Sequence, residues 1–229
     1  DNIKLTGSGA YAAAGMGLLA QRSGNLLIEK WHNRGERPIA LQADATHFSN
    51  CRGKIAVIDS TFEGMVDDAI NVHSTSLKIT DMPSPDTLEL RFMHHQSMGF
   101  EVFKAGETLR FIKGDTLEPG SEVKVASVEN LAVNRLRVKL EEPIPSAYKV
   151  GDAVENADWQ PRLTFTKNLV RNSSPRATLF TTPGKVICSS NRFERCCGSA
   201  VVLASDAAYW FESGHCRDVE IAGNVISNC

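Results

Sequence analysis

Short runs of Val, Ile, Leu and Phe, broken by Asn, Gly and Ser, dominate the chain, and helical periodicity is nearly absent. Within these runs apolar and polar positions alternate, which is typical of short β-strands. The pattern therefore predicts an all-β protein built from many short strands.

A repeat underlies part of this pattern. Residues 24–31, 53–62, 184–193 and 218–225 alternate in the same way after a small or polar first residue, and within each consecutive pair the starts lie roughly 30 residues apart. A strand repeat without helices indicates a solenoid whose coils bury their apolar faces only against each other. We predict a parallel β-helix in which Asn residues at matching turns form side-chain ladders. A β-sandwich with coincidental similarity is the alternative.

The repeat stops in the middle of the chain. Asp81-Met-Pro-Ser-Pro85 is a loop signal, and alternating runs follow at 87–92, 100–103, 108–112, 122–128 and 135–140, then a turn into a strand at 148–155. Closely spaced strands joined by Gly and Pro turns favour a small antiparallel β-barrel. We therefore predict β-helix coils over 1–80, an inserted barrel over 81–162, and further coils over 163–229.

The amino-acid composition limits the classes of partner and cofactor that this chain is expected to bind. With 25 Lys+Arg against 27 Asp+Glu, the chain lacks the basic surface of a nucleic-acid binder and has no electrostatic attraction to anionic lipid. Its apolar runs are far shorter than the ~20 residues of a membrane helix. The six cysteines form no CxxC pair, and no close Cys/His pairs suggest zinc, so we expect buried thiols and no cofactor. Nothing in the sequence sets the oligomeric state.

Candidate chemistry lies with three aspartates. Asp67 and Asp68 are adjacent, and Asp44 precedes them by about one coil, so stacking at ~4.8 Å would bring all three together. Like charges this close raise the pKa of at least one carboxyl, which can then serve as an acid while another is a base. A turn-capping role for the pair and a calcium site are the alternatives.

The motifs around these aspartates resemble glycoside hydrolase family 110. The resemblance rests on residues 44–53, 62–73, Arg176 with 181–185, and 206–214. It implies a right-handed parallel β-helix and an exo-acting, inverting α-1,3-galactosidase that needs no metal. Its partner would be a glycan with terminal α-galactose, of blood-group-B-like or linear type. Family chains are much longer, so we expect a piece of a longer protein. We also expect a bacterial location that is secreted, periplasmic or on the cell surface, with a signal peptide outside this sequence.

The family's site layout is similar to that of the inverting polygalacturonases, which implies roles for each aspartate. Asp67 would protonate the leaving glycosidic oxygen, while Asp44 and Asp68 position and deprotonate the attacking water. An inverting pair is expected to be ~6.5–9.5 Å apart. Trp210 would stack on the apolar face of galactose. The candidate substrate-binding residues are His47, Asn71, His73, Arg176, Asp206, Trp210 and Glu212.

Two other functions remain open at the level of sequence. One is a non-catalytic carbohydrate-binding β-helix, from which no free galactose would be released. The other is a β-helix polysaccharide lyase, which commonly uses calcium with a Lys or Arg base on acidic polymers. The candidate site is acidic and would repel an anionic substrate, which argues against the lyase.

Overall fold

A computed structural model describes residues 1–34 and 38–229, and in this part of the chain all regular structure is β, as the alternation predicts. No helix long and apolar enough to cross a bilayer occurs in these described residues. The strands in chain order are β1 (Ile3–Thr6), β2 (Leu18–Gln21), β3 (Gly24–Glu29), β4 (His32–Asn33), β5 (Thr46–Ser49), β6 (Arg52–Ile58), β7 (Thr61–Glu63), β8 (Ile70–Thr75), β9 (Leu77–Ser84), β10 (Thr87–Arg91), β11 (Thr108–Ile112), β12 (Pro119–Ala132), β13 (Arg135–Leu140), β14 (Ala153–Asn156), β15 (Arg162–Thr166), β16 (Leu169–Arg171), β17 (Thr178–Phe180), β18 (Val186–Ser189), β19 (Arg192–Glu194), β20 (Val202–Leu203), β21 (Glu212–Ser213), β22 (Val219–Ala222) and β23 (Val225–Ser227).

The described chain divides into two compact units. The parallel-sheet unit comprises residues 1–73, 160–204 and 216–229, and the barrel unit comprises residues 74–159 and 205–215. Residues 205–215, which the repeat predicts to lie with the last coils, group with the barrel in the structure. Its strand β21 pairs antiparallel with Ser74 and Thr75 at the end of β8, which explains that grouping.

In the parallel-sheet unit the chain returns to the same sheets in a fixed order. Within the described residues, the first sheet is β1-β3-β6-β15-β18-β22, the second is β4-β7-β16-β19-β23 and the third is β2-β5-β8-β17-β20. All these pairings are parallel, and the chain visits the sheets in turn, for example through β6, β7 and β8 and then β15, β16 and β17. Because β6 pairs directly with β15, two strands that are separated in the chain by a stretch that includes residues 74–159 lie side by side in this unit.

The corner that follows the first sheet is built the same way in successive coils. Lys30, Asp59, Lys167 and Ser190 each follow a strand of that sheet and have φ between 51° and 58°. Each donates its backbone N–H to a carbonyl of the next coil, as Lys30 does to Ile58 at 3.1 Å. This left-handed residue is uncommon outside glycine, and its recurrence turns the chain from the first sheet into the second.

An asparagine ladder follows this corner, as the repeat predicts. The side-chain oxygen of Asn191 accepts the backbone N–H of Asn168 at 2.9 Å, and that of Asn224 accepts the backbone N–H of Asn191 at 2.9 Å. Asn168 in turn accepts the N–H of Ser60 at 3.0 Å. These bonds satisfy buried backbone donors at a turn where no strand partner is available.

The core of this unit consists of stacked apolar side chains. Phe165 lies 6.0 Å from Phe62 and 6.5 Å from Phe193, measured between ring centroids. These rings are fully buried. Burying a side chain of this size stabilises the fold by about 1.5–3 kcal/mol, so these stacked rings contribute strongly to the stability of the parallel-sheet unit.

The barrel unit has a separate core and a closed sheet. Its antiparallel strands follow the order β10-β13-β12-β11-β14-β9, and β9 pairs with β10 to close the ring. Inward-facing residues such as Leu88, Phe111 and Val138 are fully buried. The small antiparallel β-barrel predicted from the sequence is therefore present.

Two local predictions in this region are wrong. The expected loop at 81–85 is mostly strand, because β9 continues to Ser84 and the turn comes at Pro85 and Asp86. Pro83 is tolerated because it lies where the β9–β10 register shifts, so a ladder N–H is not required of it. Residues 100–103 form no strand; Val102 and Phe103 nevertheless pack into the barrel core, which explains their apolar pattern.

Candidate active site

The register of the third sheet stacks the candidate residues. Thr46 of β5 pairs with Ile70 of β8, and Ile70 pairs with Thr178 of β17. Two residues before these positions lie Asp44, Asp68 and Arg176, and the backbone continues the stacking because Ala45 donates to the carbonyl of Asp68 at 2.8 Å. Asp44 therefore lies one coil from the Asp67–Asp68 pair, in register with Asp68.

The structure brings the three predicted carboxylates together. One oxygen from each of Asp44, Asp67 and Asp68 lies within 4.8 Å of the others. The backbone N–H of Asp68 also donates to Oδ1 of Asp44 at 3.1 Å. The cluster forms because the two loops that carry these residues occupy the same position in consecutive coils.

Asp68 and Asp67 have opposite environments. The side chain of Asp68 is 0% exposed, whereas that of Asp67 is 44% exposed. Arg176 covers Asp68, with Nε 2.8 Å from its Oδ1 and Nη2 2.9 Å from its Oδ2. Burial, followed by the charge of Asp44, raises the pKa of Asp68 to about 8, although Arg176 acts in the opposite direction. Asp68 therefore holds a proton at neutral pH, while Asp67 is the carboxyl open to a ligand.

Two histidines extend the cluster inward. Nδ1 of His47 lies 2.5 Å from Oδ2 of Asp44, and Nε2 of His47 lies 2.8 Å from Nε2 of His73. Both side chains are buried, and their rings meet edge to face at 85°. His47 thus uses both ring nitrogens within the protein, so the predicted contact with a sugar hydroxyl, which stays a prediction, would have to replace one of these bonds. Asn71 is buried in β8, directly in register with His47.

The contact between His47 and His73 was not predicted from the sequence. His47 and His73 lie on adjacent parallel strands, but His47 pairs with Asn71, so the histidines are diagonal neighbours. Diagonal pairs in a sheet are within reach of long side chains. The signal that could have found them is two histidines on one sheet face, once the register is known.

Asp206 belongs to the barrel unit, and its carboxylate organises a loop. It accepts the backbone N–H groups of Ala208, Tyr209, Trp210 and Phe211. Burial would raise the pKa of Asp206, but these bonds outweigh it and lower the pKa below its usual value. The carboxylate of Asp206 therefore has a structural role in this loop, and its predicted role in sugar binding stays a prediction.

The loop held by Asp206 presents an aromatic side chain to solvent. Trp210 is 46% exposed, and its ring centroid lies 4.2 Å from that of His94 in the same unit. Glu212 follows on β21, where it pairs with Thr75. Burial lowers the pKa of His94, and the negative charge of Glu212 acts against this lowering. Trp210 is therefore partly exposed and partly packed on His94, and its stacking on galactose stays a prediction.

The groups of the carboxylate cluster suit proton transfer to a bound molecule. The cluster and its neighbours combine carboxyl, imidazole and guanidinium groups. The carboxyl of Asp68 holds a proton at neutral pH, while that of Asp67 is exposed. Carboxylate clusters can also hold calcium, but here Arg176 already places a positive charge on Asp68. Acid–base chemistry on a neutral ligand is therefore the simplest use of this arrangement.

Comparison with known proteins agrees with this interpretation. A domain family described as GLAA-B beta-barrel domain II matches residues 87–154. Alpha-1,3-galactosidase B of Akkermansia muciniphila is 47% identical over 227 residues, covering 95% of this chain and 28% of that protein. Alpha-1,3-galactosidase B of Phocaeicola vulgatus is 38% identical, covering 100% of this chain and 40% of that protein.

A second group of relatives has a related name. Alpha-1,3-galactosidase A of Akkermansia muciniphila is 35% identical, covering 100% of this chain and 39% of that protein. This chain is a homologue of the alpha-1,3-galactosidases. It spans between 28% and 40% of the length of the three relatives named here. The segment shared with these galactosidases includes both the carboxylate cluster and the barrel.

Proposed function

We propose that the protein is a glycoside hydrolase that removes terminal α-1,3-linked galactose from glycans in an exo-acting, inverting reaction. The observation that carries this proposal is the cluster of Asp44, Asp67 and Asp68, with oxygens within 4.8 Å, in a chain homologous to alpha-1,3-galactosidases. Blood-group-B-like and linear α-1,3-galactosyl glycans are the candidate substrates. Such substrates imply action outside the cytoplasm.

The fold proposed for the parallel-sheet unit is a right-handed parallel β-helix. Its support is the cyclic order in which the chain visits the parallel sheets, together with the left-handed corner and the asparagine ladder that recur in successive coils. Stacked coils of this kind bring residues of consecutive turns to one face at the inter-strand spacing. This geometry accounts for a catalytic cluster assembled from neighbouring coils.

Exposure separates the proposed roles of the carboxyl groups. A general acid must touch the glycosidic oxygen and carry the proton that it delivers. Asp67 is the exposed member of the cluster, and in the proposed cycle it takes this proton from solvent before each turnover, while Asp44 passes the proton of the attacking water back to solvent. Asp44 accepts hydrogen bonds on both oxygens and is the proposed proton acceptor for the attacking water. Asp68, protonated at neutral pH, orients that water beside Asp44. Because Arg176 covers Asp68, the guanidinium has to shift when water and substrate enter.

Burial supports attack by water rather than by a carboxylate. The closest oxygens of the cluster lie within 4.8 Å, shorter than the ~6.5–9.5 Å usual between the carboxyl groups of an inverting enzyme, and this spacing makes retention the second candidate. A retaining nucleophile must itself reach the anomeric carbon. Asp44 and Asp68 are buried, with side-chain exposures of 5% and 0%, so a small water is the better attacking group.

The decisive experiment follows the anomer released from an α-1,3-galactosyl disaccharide by NMR. Inversion of an α-linkage gives β-galactose first, whereas retention gives α-galactose first. The Asp67→Asn variant is the control for contaminating galactosidase. If the protein releases no galactose, the enzymatic proposal fails.

A non-catalytic glycan-binding module is the second candidate function. The observation favouring it is the closed state of Asp68, whose side chain is 0% exposed beneath Arg176. Such a module would bind the disaccharide, as measured by calorimetry, without releasing galactose. The partly exposed ring of Trp210 is compatible with either function.

A further inference from the structure

The contact between the two buried histidines can hold only one proton. It joins Nε2 of His47 to Nε2 of His73 at 2.8 Å. A hydrogen bond between two ring nitrogens needs one protonated and one bare nitrogen. Whichever histidine carries the bridging proton therefore fixes the protonation of the other.

The other end of His47 contacts Asp44. Oδ1 of Asp44 accepts the backbone N–H of Asp68 at 3.1 Å, and Oδ2 lies 2.5 Å from Nδ1 of His47. An ionised carboxylate only accepts hydrogen bonds, so Nδ1 of His47 must carry a proton to satisfy it. A neutral His47 with its proton on Nδ1 has a bare Nε2. The bridging proton then belongs to His73.

We propose that His73 is a positioning residue: it donates its Nε2–H to the bare Nε2 of His47 and thereby holds the ring of His47 with its Nδ1–H directed at Oδ2 of Asp44. The hydrogen bond that one ring nitrogen of a histidine makes commonly determines whether the other nitrogen carries the proton. The catalytic consequence rests on the proposed function, in which Asp44 accepts the proton of the attacking water. The tautomer itself is a property of the folded protein whether or not it turns over substrate.

The first test is spectroscopic and needs no activity. ¹⁵N NMR of the histidine-labelled protein near neutral pH should show His47 with a protonated Nδ1 and a bare Nε2. In His73→Leu the donor is lost, so the bare Nε2 of His47 loses its hydrogen bond and its ¹⁵N resonance should move downfield, while Nδ1 stays protonated against Asp44. His73→Gln places an amide N–H near the former Nε2 and should restore the hydrogen bond and the parent resonance. His32→Leu, at an exposed position on β4 of the same unit, is the matched control and should leave His47 unchanged.

The second test separates positioning from substrate contact. For the α-1,3-galactosyl disaccharide, His73→Leu should lower kcat about 10–100-fold, the loss typical of removing an orienting hydrogen-bond partner, with KM little changed. His73→Gln should recover most of kcat. A direct sugar ligand would instead raise KM in both variants, which would overturn the positioning role.

The remaining outcomes are equally decisive. A His47 protonated on both nitrogens, or only on Nε2, in the parent protein would overturn the proposal, because His73 would then be the acceptor. Unfolding of His73→Leu is detected by circular dichroism, and in that case His73→Gln and the parent spectrum still decide. If the tautomer is found but no galactose is released, the inference on His73 stands and the proposed function fails.

Discussion

Asp67 and Asp68 are neighbours in the chain, yet one is exposed and the other is sealed. Arg176 contacts both oxygens of Asp68, with Nε 2.8 Å from Oδ1 and Nη2 2.9 Å from Oδ2, whereas its Nη2 lies 4.0 Å from Oδ1 of Asp67. Desolvation and the nearby Asp44 then keep Asp68 protonated, while Asp67 stays open to a ligand. At the scale of single residues, the chemistry depends on these different surroundings more than on the residue type.

The first prediction distinguishes the acid from the base. Asp67→Asn removes the proposed proton donor, so turnover of an unactivated disaccharide should fall ~10²–10⁴-fold. An aryl α-galactoside should lose much less, because its leaving oxygen needs little protonation. Asp44→Asn should slow both substrates alike, since both need an activated water. Steady-state rates on the two substrates check this, and equal losses in Asp67→Asn would reassign the acid.

The second prediction concerns stability and pH. The pKa of Asp68 is raised from 3.8 to about 8 in the folded protein, so between these values the folded state binds a proton that the unfolded state releases. This contribution to stability is fully present below pH ~4, falls by up to ~1.4 kcal/mol per pH unit, and is gone above pH ~8. In Asp68→Asn that part of the slope should disappear. Urea unfolding from pH 5 to 9 measures it, and parallel curves for the two proteins would contradict the assignment.

At the scale of elements, the loops between strands satisfy backbone hydrogen bonds at the turns and carry the candidate site residues. The corner residues and the asparagine ladder satisfy backbone groups at the turns, so the third sheet can carry the carboxylates in the loops before its strands. In the barrel unit, Asp206 does the same for a single loop and fixes the residues that present Trp210. A loop held by several bonds from one carboxylate loses little entropy when a ligand binds.

The third prediction tests that loop. Trp210→Ala removes the exposed ring and should raise KM for the galactosyl substrate about 2–10-fold with kcat little changed, since aromatic stacking is worth about 0.5–1.5 kcal/mol. Asp206→Asn weakens the bonds that hold the loop and should produce a smaller rise. Tyr11→Ala, at an exposed aromatic residue of the parallel-sheet unit, is the matched control. An unchanged KM in Trp210→Ala would exclude stacking on the substrate.

At the scale of the whole molecule, the sequence predicted the features that follow from the spacing of the repeat, but it did not predict specific contacts between side chains. The repeat placed Asp44 one coil from the Asp pair, because coil stacking is set by strand spacing. The contact between His47 and His73 depends on register and rotamer, and the use of Asp206 by its own loop depends on turn geometry, so neither could be read from spacing. The apolar pattern at Val102 and Phe103 predicted a strand, but side chains buried from an irregular segment produce the same pattern as those of a strand.

The fourth prediction follows from the separate cores of the two units. Phe165 is buried in the core of the parallel-sheet unit and Phe111 in that of the barrel unit. Replacing either with Ala should cost about 3–5 kcal/mol, through lost burial and the cavity left behind. Hydrogen exchange should show the loss of protection in Phe111→Ala concentrated in residues 74–159 and 205–215, and in Phe165→Ala concentrated in the remainder. Uniform loss across the chain in both variants would mean that the two units unfold as one cooperative structure.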